Sequence, residues 1–150
     1  MRIITSLLLA ACLLPGAASA SAAASAAASA AASAAAKLSP PPANTVRVHY
    51  KRSNGDQQRW GVYAWEGPQQ PSKKWIADRF LFSTPGPWGH YVDIPLASGK
   101  TEFRFLVSSD GGHKNCGDDQ YLPLPPDIAK RGVEIWIPQA SCTIHPQQPE

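Results

Sequence analysis

Between Thr45 and Glu150 the chain is cut by turn-forming clusters at near-regular spacing, and no helix of ordinary length fits between them. Asn54-Gly55-Asp56, Thr84-Pro85-Gly86-Pro87, Ser98-Gly99-Lys100 and Asp110-Gly111-Gly112 supply the Gly, Pro, Asn and Asp that tight turns need. The runs they separate read as strands over Thr45 to Tyr50, Trp60 to Glu66, Arg79 to Ser83, Gly89 to Pro95, Glu102 to Ser108, Gln120 to Leu122 and Val133 to Pro138. In the first of these, Val46, Val48 and Tyr50 alternate with Thr45, Arg47 and His49, which predicts a half-buried strand. Many short alternating strands predict an all-β module, a two-layer antiparallel β-sandwich with immunoglobulin-like layering.

The residues before this region have another character. Residues 1–20 carry one basic residue, Arg2, then an apolar run from Ile3 to Leu14, a Pro15-Gly16 break and the small residues Ala18-Ser19-Ala20, the pattern of a signal peptide. Leu9-Ala10-Ala11-Cys12 also matches a bacterial lipoprotein cleavage box, in which Cys12 would carry a lipid anchor. Either reading predicts export, periplasmic or extracellular, with no transmembrane span. Residues 21–44 are a tether: Ser-Ala-Ala-Ala recurs four times up to Ala36, and three prolines, Pro40 to Pro42, then stop any helix. The module is therefore expected to occupy residues 45–150, a size suited to one hydrophobic core.

Charge removes one class of partner. Setting aside Arg2 and Lys37, the remaining Lys and Arg stand against 11 Asp and Glu, all within the module, and leave it a formal charge of +1. Its basic residues are scattered in ones and twos, whereas a nucleic-acid surface needs them clustered.

The run Trp60-Gly61-Val62-Tyr63-Ala64-Trp65-Glu66 has two unlike faces when read as a strand. Trp60, Val62 and Ala64 suit a core, while Tyr63 and Trp65 stand side by side opposite, with Gly61 leaving space beside them. Two readings are open. Aromatic pairs on sandwich strands commonly belong to the core; equally, paired rings form plates on which the C–H face of a sugar stacks while its hydroxyls stay wet. The polar stretch from Ser108 to Gln120 is a solvated loop or a hydrogen-bonding wall, in which Lys114 donates to sugar hydroxyls and Asp119 accepts from them. Trp136 is assigned to the core. In an exported chain Cys116 and Cys142 are expected to pair, closing a loop of roughly 27 residues worth about 3.5 kcal/mol in the chain-entropy model, with two free thiols as the alternative. The four His residues show no metal-ligand spacing, and neither a metal nor a cofactor is expected.

Taken together, Val46 to Tyr50, the Asp56 turn, Trp60 to Trp65, Gly89 to Leu96, Lys114 to Gln120 and Glu134 to Ile137 resemble, in order and spacing, the pullulanase-associated carbohydrate-binding module, carbohydrate-binding family 41. The resemblance spans about Thr45 to Gln139. It implies a non-catalytic β-sandwich that binds α-glucans such as pullulan, amylopectin, glycogen and maltooligosaccharides, a module commonly attached to a starch-debranching glycoside hydrolase. It places the family's aromatic platform on Tyr63 and Trp65 and its hydrogen-bonding pair on Lys114 and Asp119, with His113 near where some members carry another aromatic. Tyr63 stands where some members have Trp, and Cys116 interrupts a loop usually free of Cys. No catalytic domain follows Glu150, so the module is expected to work alone or beside a separate amylolytic enzyme. Three rival readings are a fragment of such a hydrolase, a small enzyme in its own right, and a protein-interaction sandwich with Trp60, Trp65 and Trp88 as a surface patch. The small-enzyme reading has little support: glycoside hydrolysis needs two carboxylates about 5 to 9.5 Å apart in a cleft, and Asp118 and Asp119 are adjacent in an exposed loop.

Overall fold

The computed structural model describes residues 38–150, so the signal peptide, the lipid-anchor site at Cys12 and the Ser-Ala-Ala-Ala repeat lie outside the described residues. Among the described residues no helix is long and apolar enough to cross a membrane.

Eight strands form two four-stranded sheets. The strands are β1 (Thr45–Lys51), β2 (Trp60–Glu66), β3 (Phe80–Leu81), β4 (Thr84–Gly86), β5 (Gly89–Pro95), β6 (Glu102–Ser109), β7 (Gln120–Pro123) and β8 (Val133–Pro138). One sheet runs β4-β5-β1-β8 and the other β3-β2-β6-β7. The only helical element among the described residues is a single 3-10 turn, Gln57–Arg59. The expected all-β sandwich is therefore present, with one departure from an antiparallel plan. β1 and β8 pair in parallel, with His49 opposite Trp136.

The core lies between the sheets and follows strand alternation. Val46, Val48 and Tyr50 of β1, Val62 and Ala64 of β2, Phe103, Phe105 and Val107 of β6, and Ile135 and Ile137 of β8 all point inward and are fully or almost fully buried. At about 25 cal/mol per Å² of apolar surface removed from water, this interleaved set is the main favourable term in holding the layers together.

Four sequence expectations change. β1 is buried on both faces, because Arg47 and His49 on its outer side are covered as well: His49 stacks flat on Trp136 at 4.9 Å and lies 5.4 Å from Tyr91. Trp136 is accordingly not a core residue; alternation on β8 puts Ile135 and Ile137 inside and turns Trp136 outward onto His49. Trp60 and Trp88 are buried, so no patch of Trp60, Trp65 and Trp88 is available to a protein partner. The stretch read as a turn at Thr84 to Gly86 is an edge strand. Proline is tolerated there because an edge strand need not donate outward.

Residues Leu38 to Ala43, read as part of the tether, contact the sandwich. The Ser39 carbonyl accepts from Arg47 Nη1 at 2.6 Å, and a side chain at Gly132 would run into Pro41 and Pro42.

Candidate functional site

β2 places its two outward rings as alternation requires. Trp60, Val62 and Ala64 are in the core, while Tyr63 and Trp65 are half-exposed with ring centroids 6.0 Å apart and planes inclined by 38°. A bulge between Ala64 and Glu66 shifts the register to β6 at Trp65, and bulges are a common way to re-aim a side chain next to a site. Gly61 does not leave room for a ligand as expected. A Cβ there would meet the Phe80 carbonyl at 2.8 Å, so its missing side chain lets β3 pack close.

A third ring comes from the segment between β2 and β3. Trp75 meets the Tyr63 ring edge-on at 5.1 Å and 71°, and remains 40% exposed. Its loop is fixed by polar contacts that the sequence does not advertise. Ser72 is buried; its hydroxyl accepts from the Ala64 amide at 3.1 Å and donates to the Asp78 carbonyl at 2.8 Å. The Asp78 carboxylate accepts from the amides of Lys73 and Lys74 at 3.2 and 2.9 Å. Arg79 ties the far end of the loop to β6 through the Ser108 carbonyl at 2.6 Å. Gly112 sits against Trp75 and Ile76, so a larger residue would push this wall outward.

The opposite wall comes from the loop between β6 and β7. Lys114 bridges back to Ser108 and Asp119 immediately precedes β7, and both side chains are exposed. Neither takes part in an ion pair among the described residues, so their hydrogen-bonding capacity faces solvent. Their backbone neighbours are held firmly. Asn115 is buried, and its Oδ1 accepts from the Tyr50 hydroxyl and the Ala140 amide, each at 2.8 Å, while its Nδ2 donates to the Pro138 and Ser141 carbonyls at 3.2 and 3.0 Å. Gln120 Nε2 donates to the Cys142 carbonyl at 3.2 Å. Between them Cys116 is joined to Cys142, with Cα atoms 5.1 Å apart. Thus Asn115, Cys116 and Gln120 fasten the wall to the segment after β8.

Tyr63, Trp65, Trp75, Leu106, Lys114 and Asp119 line one shallow depression of about 430 Å³. Four of the five residues in which the sequence placed sugar binding meet there. The fifth, His113, does not: it lines a separate cavity of about 340 Å³ with Arg52, Asp56, Arg59 and Asp110. In that cavity Arg59 pairs with Asp110 and Arg52 with Asp56, and the Arg59 hydrogen bond holds the Asp110 carboxyl below its ordinary range. Its charges therefore satisfy one another. Trp75 and Leu106 were missed. Trp75 had a legible signal, a lone Trp within the polar run Pro71-Ser72-Lys73-Lys74 where no core periodicity accounts for it; Leu106 had none, since it reads as one more strand apolar. Cys116, Asp118 and Cys142 cluster as metal-ligand types, but both sulfurs are spent in the disulfide.

Chemically, this is an open surface of tilted rings flanked by a free cation and a free carboxylate. The model of the bacterial pullanase-associated domain matches residues 44–146. Pullulanase A of Streptococcus pneumoniae is 36% identical over 80 residues, which are 53% of this chain and 6% of that protein. An α-amylase of Streptomyces lividans is 27% identical over 85 residues, 57% of this chain and 9% of the enzyme. The chain thus spans under a tenth of the length of these curated relatives. An α-glucan-binding structure from a streptococcal virulence factor superposes with a TM-score of 0.61 and 28% identity, covering 72% of this chain and 49% of that one. With a family model covering the whole sandwich and its disulfide-fastened wall, the chain belongs to the bacterial pullanase-associated domain family.

Proposed function

We propose that this chain is a non-catalytic α-glucan-binding module for pullulan, amylopectin, glycogen and maltooligosaccharides. The observation that carries the proposal is the convergence of Tyr63, Trp65 and Trp75 with unpaired Lys114 and Asp119 in one shallow depression. Tilted plates suit a curved α-glucan, whose successive rings change orientation, better than a flat β-linked chain. Lys114 donates to and Asp119 accepts from hydroxyls at the rim, and such charge-assisted bonds are stronger than neutral ones. The α-glucan binding of the similar streptococcal structure supports the same reading. So does the carboxylate count: Asp119 is the sole carboxylate lining the depression, whereas glycoside hydrolysis ordinarily uses two. An open site of this kind binds modestly, with Kd of micromolar to millimolar order, about −8 to −4 kcal/mol.

The same reading carries an exported location, with residues 1–20 as signal peptide or Cys12 as lipid anchor, and residues 21–44 as a spacer. A role beside a separate amylolytic enzyme fits it, and so does a place within a starch-debranching hydrolase, given the small share of its relatives that the chain spans. Affinity electrophoresis in gels containing pullulan, amylopectin, glycogen or cellulose tests the proposal. Retardation by the α-glucans alone, lost in Trp65→Ala, is the expected result; retardation by cellulose, or release of reducing sugar by the pure protein, would overturn it.

A further inference from the structure

Of the three exposed large hydrophobic residues among those described, Trp75, Leu81 and Tyr121, the depression accounts for Trp75 alone. At 53%, Tyr121 is more exposed than Trp75 or Leu81, the other exposed large hydrophobic residues. Its position follows from register. Phe103, Phe105 and Val107 of β6 face the core, so Arg104 and Leu106 face outward, Leu106 beside Tyr63. Tyr121 pairs with Arg104 and Gln120 with Phe105, which puts buried Gln120 inside and Tyr121 outside. Asp119, two residues before Tyr121, shares that outward side by the same alternation and already lines the depression. A single face of the sheet therefore carries Tyr63 and Trp65 on β2, Leu106 and Arg104 on β6, and Tyr121 on β7, with Asp119 just before that strand.

We propose that Tyr121 is a further sugar-stacking position, which extends the site across β6 for longer α-glucan chains; this rests on the α-glucan reading above. Three observations converge. β7 is an edge strand, so no neighbouring strand covers Tyr121 from the far side. The Arg104 guanidinium sits 5.4 Å from the Tyr121 ring centroid and is steadied by Glu102, to which its Nε donates at 2.9 Å. This cation–π contact orients the ring without enclosing it. Asp119 lines the depression two residues before Tyr121, so a chain whose hydroxyls it binds already lies beside the start of β7. From β2 to β7 is two strand spacings, about 10 Å. A short oligosaccharide filling the Tyr63, Trp65 and Trp75 plates stops before Tyr121, and a longer one reaches it.

The extension predicts a length-dependent loss. Calorimetry would compare maltotriose with maltoheptaose on the full chain and on its Tyr121→Ala and Tyr121→Phe variants, with thermal melting to confirm folding. In Tyr121→Ala, maltoheptaose binding should weaken about tenfold, equivalent to about 1.4 kcal/mol, while maltotriose binding stays unchanged; Tyr121→Phe, which keeps the ring, should retain most of the maltoheptaose affinity. Unchanged maltoheptaose binding in Tyr121→Ala, or equal loss for both ligands in a folded variant, would overturn the extension alone. Failure of the unsubstituted protein to bind either sugar would instead remove the α-glucan reading, and the extension with it.

Discussion

Replacing Asn115 by Ala tests whether the hydrogen-bonding wall is held by design of the core or merely rests on it. The substitution removes four hydrogen bonds made by one buried side chain. They are not equal. Ala140 is exposed and Pro138 and Ser141 are partly so, so water can replace the lost contacts on that side at small cost. Tyr50 is different: it is fully buried, and burial pushes its hydroxyl up to about 12, so it stays a neutral donor whose acceptor has gone. The Arg52 contact at 3.2 Å does not compensate, because Arg52 donates to that oxygen and cannot accept from it. One buried unsatisfied donor costs about 1–3 kcal/mol, and three partly solvated bonds add about 1 kcal/mol together, so a total loss of roughly 2–4 kcal/mol is expected. Urea unfolding with the disulfide intact measures it as a lower midpoint at an unchanged slope. Binding should weaken in the same variant, since Asn115 adjoins Lys114. A loss under about 0.5 kcal/mol, the range of ordinary surface substitutions, would refute the argument that this side chain fastens the wall to the core.

Trp65→Ala should abolish α-glucan retardation while leaving the melting temperature within a few degrees, because the ring is half-exposed; unfolding of the variant would make Trp65 structural. Trp75→Ala should weaken maltooligosaccharide binding in calorimetry without loss of stability, as expected of a 40% exposed ring on a loop pinned independently by Ser72 and Asp78. Reducing the bond between Cys116 and Cys142 should lower stability by about 3.5 kcal/mol in the chain-entropy model, read by denaturation with and without reductant. His49 is held below its ordinary range, chiefly by burial, against the opposing pull of Glu134, to which its Nε2–H donates at 2.7 Å. The unfolded chain therefore takes up a proton that the folded chain resists, so stability should fall as pH drops below about 6.5 towards the folded-state pKa. His49→Gln should flatten that part of the stability profile.

The strands were legible because their signal is local. Alternation within Trp60 to Glu66 assigns each side chain to a face, and the strand follows it from Trp60 to Trp65, where the bulge intervenes. The same alternation misled for β1 because it says which side a residue faces, not what covers that side. Arg47 and His49 face away from the core and are nevertheless buried, since Tyr91 and Trp136 arrive from neighbouring strands whose pairing no sequence window reveals. The assignment of Trp136 to the core runs against the alternation of its own strand, which turns it outward onto His49.

The site divides along the same line. Tyr63 and Trp65 share one strand and could be found by period, and Lys114 and Asp119 stood out in the polar loop and again through the family resemblance. Trp75 is brought to them by a loop whose shape depends on Ser72 reaching the backbone of Ala64, a contact set by tertiary packing. His113 went the other way for a related reason. It is next to Lys114 in sequence, but the chain turns at Gly112, with φ +79°, and the bridge from Lys114 to Ser108 leaves His113 on the side of Arg59 and Asp110. Adjacency in a loop thus carries little information about shared chemistry, whereas a two-residue step along a strand carries much. By that measure Asp119, just before β7, and Tyr121, two residues on within it, are a closer pair than Lys114 and His113.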